Sequence, residues 1–278
     1  MTTSVLVPSS LTREAEDRRE ATRKIGYVAR AATVFGVDRL TVFPDPDGRG
    51  RWEDGFVETV LRYAATPPYL RKEVWDKRDE LEFAGVLPPL RVATRTGSGS
   101  DESGSLRQGI VTEVGADGRV RVNCGLQHPI SLPVPSGMTV RERERVTVRV
   151  SSRRPVRAKL VDEPPPGFAV DAADVDAALA RDDAGLTVAA SRHGEPLTVG
   201  RLGQLVERRE ARGGLTVAFG APERGLPDIF GIDADAVGDH GDDTGFHLWL
   251  NTVPAQGSEV VRTEEAVFAT LAPLRLTE

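Results

Sequence analysis

The sequence predicts an α/β domain interrupted by a small all-β insert, and three observations carry that prediction. Apolar runs of strand length alternate with helical stripes at both ends of the chain. The middle, from Leu87 to Pro166, holds only short alternating runs. Near the C-terminus, two apolar strands break into glycine- and proline-bearing loops, 215–227 and 247–259. Ligands of open α/β sheets sit beyond the carboxyl ends of strands, so these two ends suggest a small-molecule pocket.

Val5 to Pro8 reads as a short buried strand. Ile25, Val28, Ala29, Ala32 and Phe35 recur at helical spacing, and Gly36 ends that helix. Arg39 to Phe43 is the next strand, before a turn from Pro44 to Gly50. Helical stretches follow over Phe56 to Tyr63 and about Tyr69 to Phe83. In the middle, Arg91–Thr94, Gly109–Val114, Val120–Cys124, Ile130–Val134 and Arg145–Val150 alternate as strands do. Ala116-Asp117-Gly118 suits a hairpin turn, and Thr96 to Ser105 is a flexible loop by composition. Five short strands without a helix fit a small OB-like barrel, with Asp162 to Gly167 as its stiff exit. From Phe168 the α/β pattern resumes. Thr187 to Ala190 is a strand ending in Ser191-Arg192-His193-Gly194, Leu202 to Arg212 is helical, and a helix from Thr263 closes the chain. The expected division is 1–87 with 166–278 for the α/β domain, and 88–165 for the insert.

At 278 residues, 39% hydrophobic and 28% charged, the composition is that of a soluble globular protein. No run is long enough to span a membrane and Met1 to Ser10 lacks a leader pattern, so a cytoplasmic location is expected. The single cysteine, Cys124, excludes an intramolecular disulfide and a cysteine-built zinc site; its alternation with Val120 and Val122 marks it as core. Only Lys24, Lys72, Lys77 and Lys159 are lysine, and the net charge is −6, which fits a GC-rich, salt-adapted source. Net acidity argues against a nucleic-acid partner unless positive charge is concentrated somewhere. It is. Arg141 to Lys159 holds eight basic residues against two acidic ones. Alternation there puts Arg143, Arg145 and Arg149 on one face, and Arg153 and Arg154 extend a row suited to an RNA backbone. The alternative is a solvated strand with acidic partners.

Three motifs carry a family resemblance. The first is Gly26-Tyr27-Val28-Ala29-Arg30-Ala31-Ala32-Thr33-Val34-Phe35-Gly36-Val37. The second is Gly220-Ala221-Pro222-Glu223-Arg224-Gly225-Leu226, and the third is Val253-Pro254-Ala255-Gln256-Gly257. In order and spacing the chain resembles the SPOUT (α/β-knot) methyltransferases, in particular the archaeal and eukaryotic branch with an OB-like insert. The resemblance implies a trefoil-knot domain with a parallel sheet, a homodimer, and S-adenosylmethionine (AdoMet) bound bent among three loops. Onto this chain it carries Ser191, Gly220, Ala221, Gly225, Asn251, Thr252, Pro254, Gly257 and Ser258 as cofactor residues. Arg30 is the matched catalytic candidate, although it lies one step off the apolar stripe of its helix. Two departures stand out. Pro222 replaces the family's acid, and Val261 to Glu265 replaces the asparagine-bearing run of the SpoU/TrmH type.

Methyl transfer from a sulfonium is an in-line displacement, so the protein chiefly positions donor and acceptor. Arg224 could bind a phosphate or orient the target base, and Glu264 could accept a proton. With Thr263 as N-cap, Glu264 and Glu265 would equally complement a helix dipole. His193 is expected on an exposed loop, and the tract Asp233, Asp235, Asp239, His240, Asp242 and Asp243 reads as solvated, with no metal required. The expected activity is AdoMet-dependent methylation of ribosomal RNA, at a uridine base nitrogen rather than the ribose because of the departure at 261–265. The competing function is a non-catalytic RNA-binding or ribosome-associated protein of the same fold. A nucleotide-binding enzyme of another class lacks support, since no Walker-type run is present.

Overall fold

A computed structural model describes residues 1–48, 52, 55–93, 104–234, 237 and 245–276. In chain order the elements begin β1 (Thr2–Pro8), α1 (Arg18–Val34), β2 (Arg39–Phe43), α2 (Phe56–Ala65) and α3 (Arg71–Val74). Next come β3 (Ser105–Val114), β4 (Arg119–Asn123), β5 (Ile130–Pro133), β6 (Arg145–Arg153), β7 (Val156–Val161) and β8 (Ala169–Ala172). The last are α4 (Val175–Leu179), β9 (Leu186–Pro196), α5 (Val199–Ala211), β10 (Gly214–Phe219), α6 (Leu226–Phe230), β11 (Leu248–Asn251) and α7 (Thr263–Leu274). The chain divides into two compact units, one of Met1–Ala65, Asp79–Leu90 and Phe168–Glu278, the other of Thr66–Arg78 and Arg91–Gly167.

The first unit is mixed α/β around a parallel sheet in the order β11-β9-β10-β1-β2-β8. Strand alternation sends side chains to opposite faces. Val5, Val7, Leu215, Val217, Leu186, Val188 and Leu250 join one buried cluster with the apolar faces of α1, α2 and α7. Leu6, Ala218, Ala189 and Trp249 join another with Val175, Ala178, Leu226 and Phe246. Asp17 caps α1 by accepting the Glu20 N–H at 2.7 Å, and Gly36, at φ +61°, turns the chain out of it. No helix among the described residues is long and apolar enough to cross a membrane.

The second unit is an antiparallel sheet in the order β5-β4-β3-β6-β7, with β5 also lying against β7, which nearly closes it as a barrel. Its core holds Val111, Val120, Val122, Val146, Val148, Val150, Leu160 and the buried Cys124. Gly118, at φ +74°, makes the expected β3–β4 turn.

Several expectations need correction. Tyr69 to Phe83 is not one helix but α3 and a 3-10 turn at Asp79–Leu81, because no continuous apolar stripe supports a longer one. Arg91 to Ala93 is not a strand, and Arg91 adopts φ +48°; Thr94 lies outside the described residues. The fifth barrel strand is instead β7, whose Ala158 and Leu160 are masked in sequence by Arg157 and Lys159. Of the loop expected over Thr96 to Ser105, 96–103 fall outside the described residues, and Ser105 opens β3. β8 and α4 were not expected. Ser191 to Gly194 lies within β9, not beyond it.

Candidate functional site

β10 is buried along its whole length, and at Gly220 the chain leaves the sheet. Ala221 and Arg224 then exchange backbone hydrogen bonds in both directions, at 2.9 and 3.1 Å, across a turn with Glu223 at φ +58°. A Cβ on Gly220 would sit 2.9 Å from the Arg224 carbonyl and from Gly225 backbone atoms, so only glycine permits this closure. Thr263 Oγ1 donates to the Gly220 carbonyl at 2.8 Å, tying α7 to the turn. That residue is the first of α7 rather than its N-cap, which is Arg262.

A second wall comes from an irregularity in the sheet. Trp249 pairs with Ala189, yet the next residue, Leu250, pairs with Glu195, so 190–194 of β9 bulge away from β11. Gly194 makes this possible, since a Cβ there would lie 2.5 Å from the Leu250 nitrogen. Asn251 pins the bulge by donating from Nδ2 to the Arg192 carbonyl at 3.0 Å, while its Oδ1 accepts the Val253 N–H. Between these walls and the start of α7 is a cavity of about 300 Å³, the size of a small-molecule site.

Of the expected cofactor residues, Ser191, Gly220, Ala221, Gly225, Asn251 and Thr252 line this cavity; Pro254, Gly257 and Ser258 do not. Arg192, Gln256, Glu259, Val260 and Val261 line it without having been singled out. His193 is exposed at its wall, where its Nε2 accepts from Arg192 Nε at 3.0 Å. Phe219, Val253, Val261 and Ala266 supply apolar surface, and Glu223, Asp228 and Glu259 supply carboxylates.

Arg224 also lines the cavity, and its guanidinium is gripped by Asp45 through Nε at 3.0 and 3.1 Å and Nη2 at 3.0 Å. Asp45 follows β2 and is 2% exposed. Ser10 Oγ donates to it at 2.6 Å and the Gly48 N–H at 3.2 Å. Burial raises its affinity for a proton, but the bonds from Arg224 and Ser10 prevail and hold the carboxyl below its ordinary 3.8. Sequence reasoning missed Asp45, because Pro44-Asp45-Pro46-Asp47-Gly48 looks like turn chemistry alone.

The other expected catalytic residues lie elsewhere. Arg30 does not line the cavity; its Nη1 donates to the carbonyls of Leu90 at 2.7 Å and Pro89 at 3.3 Å. Glu264 lines a second cavity, of about 260 Å³, with Lys24, Tyr27 and Phe268. It is 8% exposed, its Oε2 has no hydrogen-bond partner among the described residues, and burial pushes its carboxyl above 4.5. For an acid with a raised folded value, stability is present below pH 4.5 and lost as pH rises through that higher value. Glu264→Gln is therefore expected to melt higher than wild type above about pH 5 and equal to it below about pH 4, as thermal scans across that range will show.

In the barrel unit the expected basic row breaks up. Arg149 is buried and paired with Glu163, because the Glu163 segment covers that face and its carbonyl accepts from Thr147 Oγ1 at 2.6 Å. Arg143 precedes β6 at φ +64°; Arg143, Arg145 and Arg154 are exposed, and Arg145 Nη2 donates to Thr66 Oγ1 at 2.8 Å. The Arg153 side chain lies outside the described residues, as do Asp235, Asp239, His240, Asp242 and Asp243 of the acidic tract.

Comparison with known proteins adds chemistry to this geometry. The model of a family described as "Putative RNA methyltransferase" matches residues 2–274. An uncharacterized protein of Haloarcula marismortui is 78% identical over 283 residues, all of both chains. The 28S rRNA (uridine-N(3))-methyltransferase of Homo sapiens is 29% identical over 318 residues, covering 99% of this chain and 78% of its own. That of Mus musculus is 28% identical over 309 residues, covering 99% and 76%. A transferase of this kind requires a methyl donor.

Proposed function

We propose that this chain, which belongs to that RNA methyltransferase family, methylates ribosomal RNA at N3 of a uridine with AdoMet as donor. The observation that carries the reading is the end-to-end similarity to enzymes named for that reaction. The cavity fits the donor chemically. Gly220 lets the 220–225 turn close on itself as one wall, apolar walls suit an adenine, and Glu223, Asp228 and Glu259 favour a sulfonium cation nearby. Bound there, the donor supplies an electrophilic methyl group. As N3–C forms and S–C breaks, the N3 proton leaves to water, yielding N3-methyluridine, S-adenosylhomocysteine and a proton. The turn at 220–225 orients the donor, and Arg224 faces the charge that appears on uracil when that proton departs.

We read the parallel-sheet unit as a SPOUT trefoil-knot domain and the barrel as an OB-like RNA-binding module. Charge supports the second assignment. The barrel unit, Thr66–Arg78 and Arg91–Gly167, carries 17 of the 36 basic residues and only 10 of the 42 acidic ones. That leaves 19 bases against 32 acids for the α/β unit, so the net acidity belongs there. Exposed Arg119, Arg121, Arg157 and Lys159 join Arg143, Arg145 and Arg154 as phosphate contacts, in place of Arg149. The homodimer belongs to this reading too. Tyr27 and Val34, 45% and 50% exposed on α1 beside Arg30, suit a second copy, and light scattering will give the mass.

The test is mass spectrometry of ribosomal RNA nucleosides from cells with and without the gene. Loss of N3-methyluridine is expected. Loss of a 2′-O-methyl species would overturn the uridine-base assignment, and an unchanged profile would overturn the ribosomal one.

A further inference from the structure

Arg224 is held at both ends, by Ala221 of the same turn and by Asp45, which does not itself line the cavity. Its backbone is clasped by Ala221 in both directions. Its side chain rests on Asp45, which is itself locked beforehand. Ser9 Oγ accepts the Asp45 N–H at 3.0 Å, and Ser10 and the Gly48 N–H fill the carboxylate's remaining acceptor sites. A Cβ at Gly48 would fall 1.8 Å from Asp45 Oδ2, so the chain closes over the carboxylate only with glycine there. Three loops, after β1, β2 and β10, are thereby spent on one guanidinium. A surface ion pair needs no such scaffold, and a purely structural one would not place the arginine on a cavity wall.

Nε and one Nη2 hydrogen are used on Asp45, while Nη1 makes no hydrogen bond to protein among the described residues. Uracil that loses its N3 proton spreads negative charge over N3, O2 and O4. A planar guanidinium edge matches such a carbonyl edge in shape and sign. We infer that Asp45 is a positioning residue, holding Arg224 so that its Nη1 edge receives the uracil carbonyl oxygen that gains charge as N3 is deprotonated. This inference rests on the methyltransferase reading above.

The experiment measures methyl transfer to ribosomal RNA purified from cells lacking the gene, with and without millimolar methylguanidinium. Arg224→Ala is expected to lose about 100-fold or more in kcat and to regain about tenfold with methylguanidinium, which can occupy the Asp45 cradle. Arg224→Ala combined with Asp45→Asn is expected to show no such rescue. Asp45→Asn alone is expected to cost about tenfold in kcat, but under about twofold when Arg224 is already alanine, with the donor KM unchanged throughout. Asp45→Glu, which keeps the buried charge paired while displacing it by one methylene, guards against misfolding and is expected to lower kcat at unchanged KM. Wild-type kcat in Asp45→Glu or Asp45→Asn, or equal rescue with and without the carboxylate, would overturn the inference alone. A wild-type protein that transfers no methyl group would overturn the methyltransferase reading and this inference with it.

Discussion

An Arg224→Met protein is expected to be about 3–5 kcal/mol less stable than wild type at neutral pH, because it strands a buried carboxylate. Asp45 is 2% exposed and cannot turn to water. In the wild type its folded proton affinity is depressed, so its stabilising contribution is complete above pH 3.8 and lost as pH falls through the lower folded value. Without Arg224, burial remains as the largest influence and acts the other way, favouring the protonated acid. The sign of the pH dependence therefore inverts at this residue. Urea denaturation should show the variant far weaker than wild type at pH 7 and the gap narrowing steadily towards pH 3. A gap independent of pH would mean that lost packing, not the stranded charge, sets the cost. The same substitution removes a cationic side chain from the cavity lining, so kcat should fall about 10²–10³-fold even where the protein is fully folded.

This pair also shows where sequence reasoning reaches its limit. Arg224 was legible because it sits inside a glycine turn at the end of a strongly apolar strand. Asp45 was not, because 179 residues separate the partners and its own neighbourhood reads as a surface turn. The same contrast runs through the fold. β2 and β10 are apolar enough to be recognised alone, whereas β8 is a four-residue edge strand, Ala169-Val170-Asp171-Ala172, with none of its residues buried. It is held by pairing to β2 and by Asp171, which accepts from Thr41 at 2.6 Å and from Arg181 at 2.8 Å. Those contacts exist only once the sheet has formed. Arg149 fails for a related reason, since strand periodicity gives its face correctly but cannot reveal that Glu163 will fold back over it. Ser191 was placed at a strand end when it lies in a bulge, because the register jump between Trp249 and Leu250 is a property of two strands together. Elements whose placement is set by their own neighbours were readable, and residues whose placement is set by distant partners, Arg30 against the Leu90 carbonyl among them, were not.

Gly220→Ala is expected to abolish donor binding while sparing the rest of the molecule. The added Cβ meets the Arg224 carbonyl and the Gly225 backbone at 2.9 Å, and backbone cannot step aside as a side chain tip can. Relief must come from opening the turn. That breaks the reciprocal Ala221–Arg224 bonds, the Thr263 bond to the Gly220 carbonyl, or both. Each tie fixes one wall of the cavity, so a displacement of even about 1 Å is enough to misplace donor and acceptor and cost about 100-fold. Calorimetric titration with S-adenosylhomocysteine should show affinity reduced by at least that factor. RNA affinity should change little, because the concentrated positive charge lies in the barrel unit. Gly203→Ala on α5, where a Cβ meets nothing within 4 Å, is the matched control and should bind S-adenosylhomocysteine as wild type does. If Gly220→Ala also binds normally, the donor lies outside the 220–225 turn, and the cavity beside Arg224 would have to be assigned to the RNA alone.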